Sequence, residues 1–225
     1  MGLNYSFELF FPRERRWDAL QAIARRVPPD GKHSTLVIED GEQRTLPFEN
    51  TTYRPDGFME PGYLSPVPLD MVGRRDGEIP DFRISMLFGS DKPIADFAHD
   101  DHQAEPGSPA PIGEISFSIV NDLVAFYARS KEGSGLIIID CRLFAEDVSP
   151  MFDTLPLIKR TFVDIAREAG GLCVTCSTFS GGVWPDRADV LWLDGRECHV
   201  RIPDDWLPLA EVRRLVAQAE GAAST

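Results

Sequence analysis

The first half of the chain begins with a strand-like pattern of apolar residues followed by a helical one. Residues 5–11 form an apolar run typical of a strand, and apolar residues recur at helical spacing over residues 17–27. Two short strand patterns follow, one on each side of Asp40-Gly41. Because Asp-Gly between alternating apolar runs is the strongest short-range hairpin signal, this half predicts a strand, a helix and a hairpin in that order.

The second half of the chain repeats this succession. An apolar strand pattern at residues 136–143 precedes a helix pattern at residues 155–169 and a strand pattern at residues 172–176. A second Asp-Gly pair, Asp194-Gly195, follows another alternating run. We interpret the two strand–helix–strand–strand units as pseudo-repeats from the pattern alone, since their residue identities outside the turns differ.

The remaining patterns indicate the fold class. Residues 82–88 and 114–119 alternate as strands do, and a third helix pattern begins near Asp205. Many hairpin-connected strands with about three helices predict an α+β fold in which the sheet is mostly antiparallel.

The length of the chain favours one domain. Its 225 residues suffice to bury a sizeable core, so we expect a single α+β domain over residues 1–225. The pseudo-repeat halves 1–88 and 114–220 are expected to be joined by an irregular loop at residues 89–113. The proline-rich stretch 49–80 retains several aromatic residues, which predicts an ordered loop packed on the core.

The helix patterns also predict which faces are buried. Trp17 and Leu20 of the first helix are expected to share one core with Phe162 and Ile165 of the second. The same periodicity places the arginines of the first helix on its other faces: Arg15, Arg16, Arg25 and Arg26.

The net charge restricts the class of partner. The chain carries 36 acidic and 23 basic residues, a formal charge of -13. This charge opposes contact with phosphate backbones, so we expect no nucleic-acid partner, whereas a basic protein partner is compatible with it. No apolar run approaches the roughly 20 residues that cross a bilayer, so no membrane partner is expected. The lysines are few, which indicates a GC-rich bacterial genome: Lys32, Lys92, Lys131 and Lys159.

The four cysteines indicate a reducing compartment. They are too sparse for a disulfide scaffold, and the first residues lack a secretory-signal pattern, so we expect a cytoplasmic protein. Cys173 and Cys176 have C-x-x-C spacing, but residues three apart in a strand point to opposite faces, which argues against a shared metal ion. Cys198 is left as a residue that could pair in space with Cys176.

The densest cluster of metal-binding residue types is His99-Asp100-Asp101-His102. Imidazole and carboxylate groups both bind zinc, iron or manganese, and histidines three apart share a face if the segment is helical. The surrounding acidic, proline-containing stretch is more typical of a solvated loop. These four residues are therefore the candidate ligands for a divalent metal, and no other cofactor is indicated.

Motifs for catalysis are missing from the sequence. It contains no G-x-S-x-G elbow, no P-loop and no dinucleotide-binding G-x-G-x-x-G after a strand. Asp140 ends an apolar strand, and we interpret it either as a partly buried functional carboxylate or as the partner of Arg142, Arg160 or a backbone amide.

Two functional hypotheses follow from the sequence. The first is a non-catalytic, acidic binding protein that acts on a basic protein partner, as an immunity protein or antitoxin does, or on a small ligand held between its two units. The second is a metal-dependent enzyme that uses the His99–His102 loop. We prefer the first because no nucleophile, base and orienting group can be assembled from the motifs. The sequence does not indicate the oligomeric state.

Overall fold

A large antiparallel sheet forms the centre of the computed structural model, and helices pack on both of its faces. The structure describes residues 3–27, 35–39, 41–50, 62, 66–69, 81–87, 111–121, 135–143, 156–180, 187–203 and 207–223. Within these residues the chain forms eleven strands and three α-helices, which confirms the predicted α+β class with mostly antiparallel sheets.

The strands and helices follow the predicted order along the chain. The strands are β1 (Leu3–Pro12), β2 (Thr35–Glu39), β3 (Glu42–Leu46), β4 (Glu49–Asn50), β5 (Val67–Pro68), β6 (Asp81–Leu87), β7 (Pro111–Asn121), β8 (Leu136–Leu143), β9 (Cys173–Ser180), β10 (Ala188–Leu193) and β11 (Arg196–Ile202). The helices are α1 (Arg16–Ala24), which a short 3-10 turn at Arg13–Arg15 precedes, α2 (Pro156–Ala169) and α3 (Leu209–Ala223).

Strand β1 lies in the middle of the large sheet. In the described residues this sheet has eight strands in the order β11-β10-β9-β1-β8-β7-β6-β4, and every pairing in it is antiparallel. The first strand of the chain is therefore bonded to β8 on one side and to β9 on the other. As a result, β8 and β9 run parallel to each other, and α2 connects them across one face of the sheet.

The two faces of the sheet have separate cores. Helices α1 and α2 pack on the face that carries Phe7, Leu9 and Phe11 of β1. Helix α3 packs on the opposite face, where Val212 and Val216 join Phe10 of β1 and apolar residues of β9, β10 and β11. Alternation along β1 thus sends its side chains into two different cores.

The core predicted for the first two helices is confirmed. Leu20, Phe162 and Ile165 are buried in one cluster, and Trp17 packs against it while partly buried. The ring of Phe162 stacks on that of Phe7 with 4.0 Å between centroids.

Arg16 departs from the sequence prediction. Its side chain is fully buried rather than exposed, and Nη1 donates a hydrogen bond of 3.0 Å to the carbonyl oxygen of Leu69. Position 16 is four residues before Leu20, so it lies at the edge of the apolar stripe and can point inward. The buried guanidinium holds the segment around β5 against α1.

The segment around β5 carries the described part of the proline-rich stretch. Val67 and Leu69 are buried, and β5 pairs with β2 in a parallel arrangement. Pro68 lies in this strand, at the edge of the small sheet β3-β2-β5, where proline removes no ladder hydrogen bond. These residues are packed on the core, as predicted for the whole stretch.

Asp194-Gly195 forms the predicted two-residue hairpin turn, and Gly41 lies at the other predicted turn, whose Asp40 is outside the described residues. Gly41 (φ 79°) joins β2 to β3, and Asp194 (φ 47°) with Gly195 (φ 90°) joins β10 to β11. The first hairpin belongs to the small sheet and the second to an edge of the large one. The two halves therefore share their strand–helix beginning but place their hairpins differently, and their interpretation as repeats stays a prediction.

We expect Gly195→Ala to lower the free energy of unfolding by about 1 kcal/mol or more, because an L-residue at positive φ is strained. A Cβ added at Gly195 would meet no atom within 4 Å, so the loss would be conformational. Gly221 in α3 has equally open space, and Gly221→Ala should instead be neutral or stabilising by about 0.5 kcal/mol. Urea unfolding of both variants tests the turn, and equal effects would contradict it.

Phe162→Ala should cost about 3–5 kcal/mol of unfolding free energy, because it leaves a cavity under the stacked ring of Phe7. Arg160→Ala, at an exposed position of the same helix, should stay within about 0.5 kcal/mol of the wild type. Chemical denaturation measures both changes. A loss at Phe162 as small as that at Arg160 would show that this ring does not carry the core.

Candidate functional site

The second face of the large sheet carries polar residues at its centre. Two neighbouring rows of paired positions run across five strands, from β9 through β1, β8 and β7 to β6. We call the first the acid row; its positions are Thr175, Glu8, Asp140, Ser118 and Asp81. We call the second the arginine row; its positions are Ser177, Ser6, Arg142, Ser116 and Arg83. Together the two rows are the polar face.

Strand alternation explains why this face is polar while its reverse is apolar. The row of paired positions between the two polar rows belongs to the opposite face, and it consists of Cys176, Phe7, Cys141, Phe117 and Phe82. The polar rows end at β10, where Val190 pairs with Thr175 and Ala188 pairs with Ser177. Both of these apolar residues belong to the core under α3. The polar face therefore begins where the helix-covered part of this sheet face stops.

The centre of the acid row is buried. Thr175 is 1%, Glu8 is 5% and Asp140 is 7% exposed. Glu8 lies directly opposite Asp140 on one side and directly opposite Thr175 on the other. Residues opposite each other in an antiparallel pair have Cβ atoms roughly 4.5–5.5 Å apart, and like charges at this spacing destabilise the pair.

Burial increases the cost of this arrangement. A buried carboxylate is costly unless it is paired, hydrogen-bonded or bound to a metal ion. Two buried carboxylates on facing positions therefore require a compensating proton or positive charge, from the chain or from a ligand. This buried pair makes the acid row the candidate site among the described residues.

The hydroxyl groups beside the acids have different environments. Ser6 Oγ and Ser177 Oγ form a buried hydrogen bond of 2.8 Å across β1 and β9. Thr175 Oγ1 is also buried, but it has no hydrogen-bond partner among the described residues. Because most buried polar side-chain atoms are hydrogen-bonded, this hydroxyl is an exception among the described residues.

The cysteines around the polar face are not activated thiols. Burial raises the pKa of Cys141 well above its ordinary value, and the charge of Asp140 raises it further. Burial also raises the pKa of Cys173, as does the nearby charge of Glu8, and burial raises the pKa of Cys198. These three thiols stay protonated at neutral pH, so they do not supply a thiolate nucleophile or metal ligand.

The C-x-x-C pair divides between the two cores, as its spacing predicted. Cys173 lies in the core under α3 and Cys176 in the core under α1 and α2. Cys198 shares the core of Cys173, so the suggested pairing of Cys198 with Cys176 is wrong. The four cysteines are all described, and none forms a disulfide.

The candidate site residues that the sequence predicted fall into two groups, one outside the described residues and one inside them. His99, Asp100, Asp101 and His102 lie outside the described residues, so their role as metal ligands stays a prediction. Asp140 is buried, which both of its interpretations allow, so the choice between a functional carboxylate and a partner of Arg142, Arg160 or a backbone amide stays open. Its neighbours across the sheet were missed, because their relation to Asp140 is set by strand pairing between distant segments. The signal in the sequence that could have indicated them is the presence of the polar residues Ser6 and Glu8 inside the apolar strand β1.

Comparisons with protein-family models, curated proteins and solved structures found no match to this chain. In the described ranges, no three histidine, cysteine, aspartate or glutamate side chains form a metal-binding group. None of the described helices has the length and apolar character needed to cross a membrane. A functional argument therefore rests on the polar face.

Thr175→Val should raise the free energy of unfolding by about 1 kcal/mol in the presence of EDTA, because it removes a buried hydroxyl that has no hydrogen-bond partner among the described residues. Thr161→Val is the matched control, since Thr161 Oγ1 donates a hydrogen bond of 2.9 Å to the carbonyl oxygen of Leu157. The control should lose about 0.5–1 kcal/mol. Urea titrations of both variants would contradict the assignment if Thr175→Val were the more damaging.

Proposed function

We propose that this protein is a non-catalytic binding protein that holds a small polar ligand on the polar face. The observation that carries the proposal is the buried acid row, in which Glu8 and Asp140 face each other beside the hydroxyl of Thr175. Glu8 and Asp140 belong to the first strands of the two predicted units. The site therefore corresponds to a ligand held between the units, one of the two partners expected from the sequence.

Burial favours a small ligand over a basic protein partner. The described acid-row side chains are at most 7% exposed, so the surface of a folded partner could not reach their carboxylates. A small cationic group could be enclosed there, where the low effective dielectric strengthens its attraction to the acids. The net charge of -13 is compatible with a cationic ligand of any kind. It is also compatible with a basic protein partner, but the structure adds no support for that alternative.

The chemistry of the polar face favours binding over catalysis. Nucleophilic catalysis requires an activated nucleophile next to a base. The thiols near the acid row are protonated, and the Ser6 hydroxyl is engaged with that of Ser177. The alternative hypothesis, a metal-dependent enzyme built on His99 and His102, is supported by sequence alone.

The arrangement of the rows suggests the shape of the ligand. Consecutive positions on one face of a strand are roughly 7 Å apart, which sets the spacing between the acid row and the arginine row. Arginine occupies backbone positions 142 and 83 of the second row. The acid row itself would complement the cationic group of a ligand, such as the ammonium group of an amine or an amino acid.

A thermal-shift assay with defined compounds tests this function. Wild-type protein in EDTA is heated with putrescine, arginine or glycine betaine, which probe a diamine, a charged zwitterion and a quaternary zwitterion. We expect at least one of them to stabilise the wild type, by about 2.7 kcal/mol at a hundred times its dissociation constant. Glu8→Gln should abolish the stabilisation.

Glu168→Gln is the charge-matched control for this assay. Glu168 lies on α2, at the other face of the sheet, and it pairs with Arg26 of α1. This variant should respond to the compound as the wild type does. Equal stabilisation of the wild type and Glu8→Gln, or no stabilisation by any of the three compounds, would contradict the proposal.

A further inference from the structure

We propose that β11 is a dimerisation edge, at which a second copy of this chain adds its own β11 as an antiparallel strand. Among the described residues β11 is the last strand of the large sheet, and β10 is its one neighbour there. Pairing of the two β11 strands about a two-fold axis would continue the large sheet from one copy into the other. The polar face lies on other strands, from β9 to β6, so this interface does not depend on the proposed function.

Strand β11 is suited to accept a further strand. It has seven residues and no proline, so each of its residues keeps its backbone N–H group. Cys198, Val200 and Ile202 belong to the core under α3, and the residues between them are exposed. The register shift between Val190 and Trp192 of β10 does not interrupt this alternation. Charged side chains usually protect such an edge from pairing, unless the charges of the added strand complement them.

The length of β11 selects one register for the pair. A strand that pairs with its own copy about a two-fold axis perpendicular to the sheet is centred on one residue, because facing side chains lie on the same face. Among the possible centres, His199 alone pairs all seven residues from Arg196 to Ile202. Glu197 then lies directly opposite Arg201 of the second copy, and the symmetry produces the same pair again on the other side of His199.

The charges of β11 complement those of its own copy in this register. The side chains of Glu197 and Arg201 are 60% and 63% exposed, so a second copy can reach both. Each has an ion pair within the chain, Glu197 with Arg167 of α2 and Arg201 with Asp189 of β10, and both keep an accessible side. Opposite charges that face each other across an antiparallel pair stabilise it, whereas like charges destabilise it. A second copy of this chain is therefore the partner that the charges of this edge fit.

The other face of β11 is compatible with the same partner. Val200 is partly buried against the core under α3, and in this register it lies opposite Cys198 of the second copy. Apolar positions thus face each other on the side of α3, while charged positions face each other on the side of α2. At the two ends of the pairing, Arg196 lies opposite Ile202, and its guanidinium is bound to Glu220 of α3. A second copy therefore matches the central positions of β11 on both faces.

Sedimentation velocity tests the dimer over protein concentrations from about 1 to 300 µM, because a small interface associates weakly. We expect the wild type to show a monomer–dimer equilibrium in this range. Glu197→Arg should weaken the dimer by at least about tenfold, since two facing pairs in each dimer change from attraction to repulsion. Arg201→Glu should weaken it by a similar factor. The double variant, Glu197→Arg with Arg201→Glu, should return the dissociation constant to within about threefold of the wild type.

The double variant separates the interface from the ion pairs within the chain. It lacks the original contacts with both Arg167 and Asp189, so a loss caused by those contacts would not be restored. Glu14→Arg makes the same change of charge as Glu197→Arg at an exposed position just after β1, three strands from β11, and should leave the dimer unchanged. A wild type that stays monomeric throughout, single variants that do not weaken the dimer, or a double variant that does not restore it would overturn the inference.

Cross-linking tests the register independently of the charges. The native cysteines are all buried and free, so they do not compete with an introduced thiol. His199→Cys would place this thiol opposite its symmetry mate, at a Cα separation of roughly 4.5–5.5 Å that a disulfide can span. Glu197→Cys is the matched control, because its mate lies four residues along the strand, about 13 Å away. Mild oxidation should give a covalent dimer with His199→Cys much faster than with Glu197→Cys. Equal rates, or no covalent dimer with His199→Cys, would overturn the proposed pairing.

Discussion

The position of β1 between β8 and β9 determines the rest of this structure. A strand that is hydrogen-bonded on both sides and covered on both faces has no solvent-facing side, so every one of its side chains must find a partner. Phe7, Leu9 and Phe11 meet the core under α1 and α2, and Phe10 meets the core under α3. Ser6 and Glu8 alternate with these apolar residues along the strand and are buried without being apolar. The polar face exists because this strand is central.

The position of β1 also ties the two halves of the chain together. Its neighbours β8 and β9 flank α2 in the sequence, so the strand that opens the first half lies inside the strand–helix–strand unit of the second. Unfolding β1 would expose both cores at once. The polar face is thereby built on a rigid element that neither half could form alone, which is the placement that precise binding sites require.

The sequence contained the elements of the fold but not the partners of its strands. Periodicity located the helices, and the Asp-Gly pairs located both hairpins, because these signals are local. The partners of β1 lie more than 120 residues away along the chain, and no local signal specifies such a pairing. For the same reason the sequence indicated Asp140 as a residue of interest but did not connect it to Glu8 or Thr175. Arg16 was misplaced because a long side chain at the edge of an apolar stripe can point either way.

The paired positions along the acid row change from apolar to polar between neighbouring strands. On β10 the paired position is Val190, which packs under α3, whereas one strand further in it is Thr175, and then Glu8. Apolar residues at these two positions would have extended the core of α3 and avoided the cost of burying an acid and a hydroxyl for which the described residues supply no hydrogen-bond partner. A sheet face that is apolar under its helix and acidic beside it does not follow from packing requirements. Under the function proposed above, a ligand bound on the polar face would offset that cost.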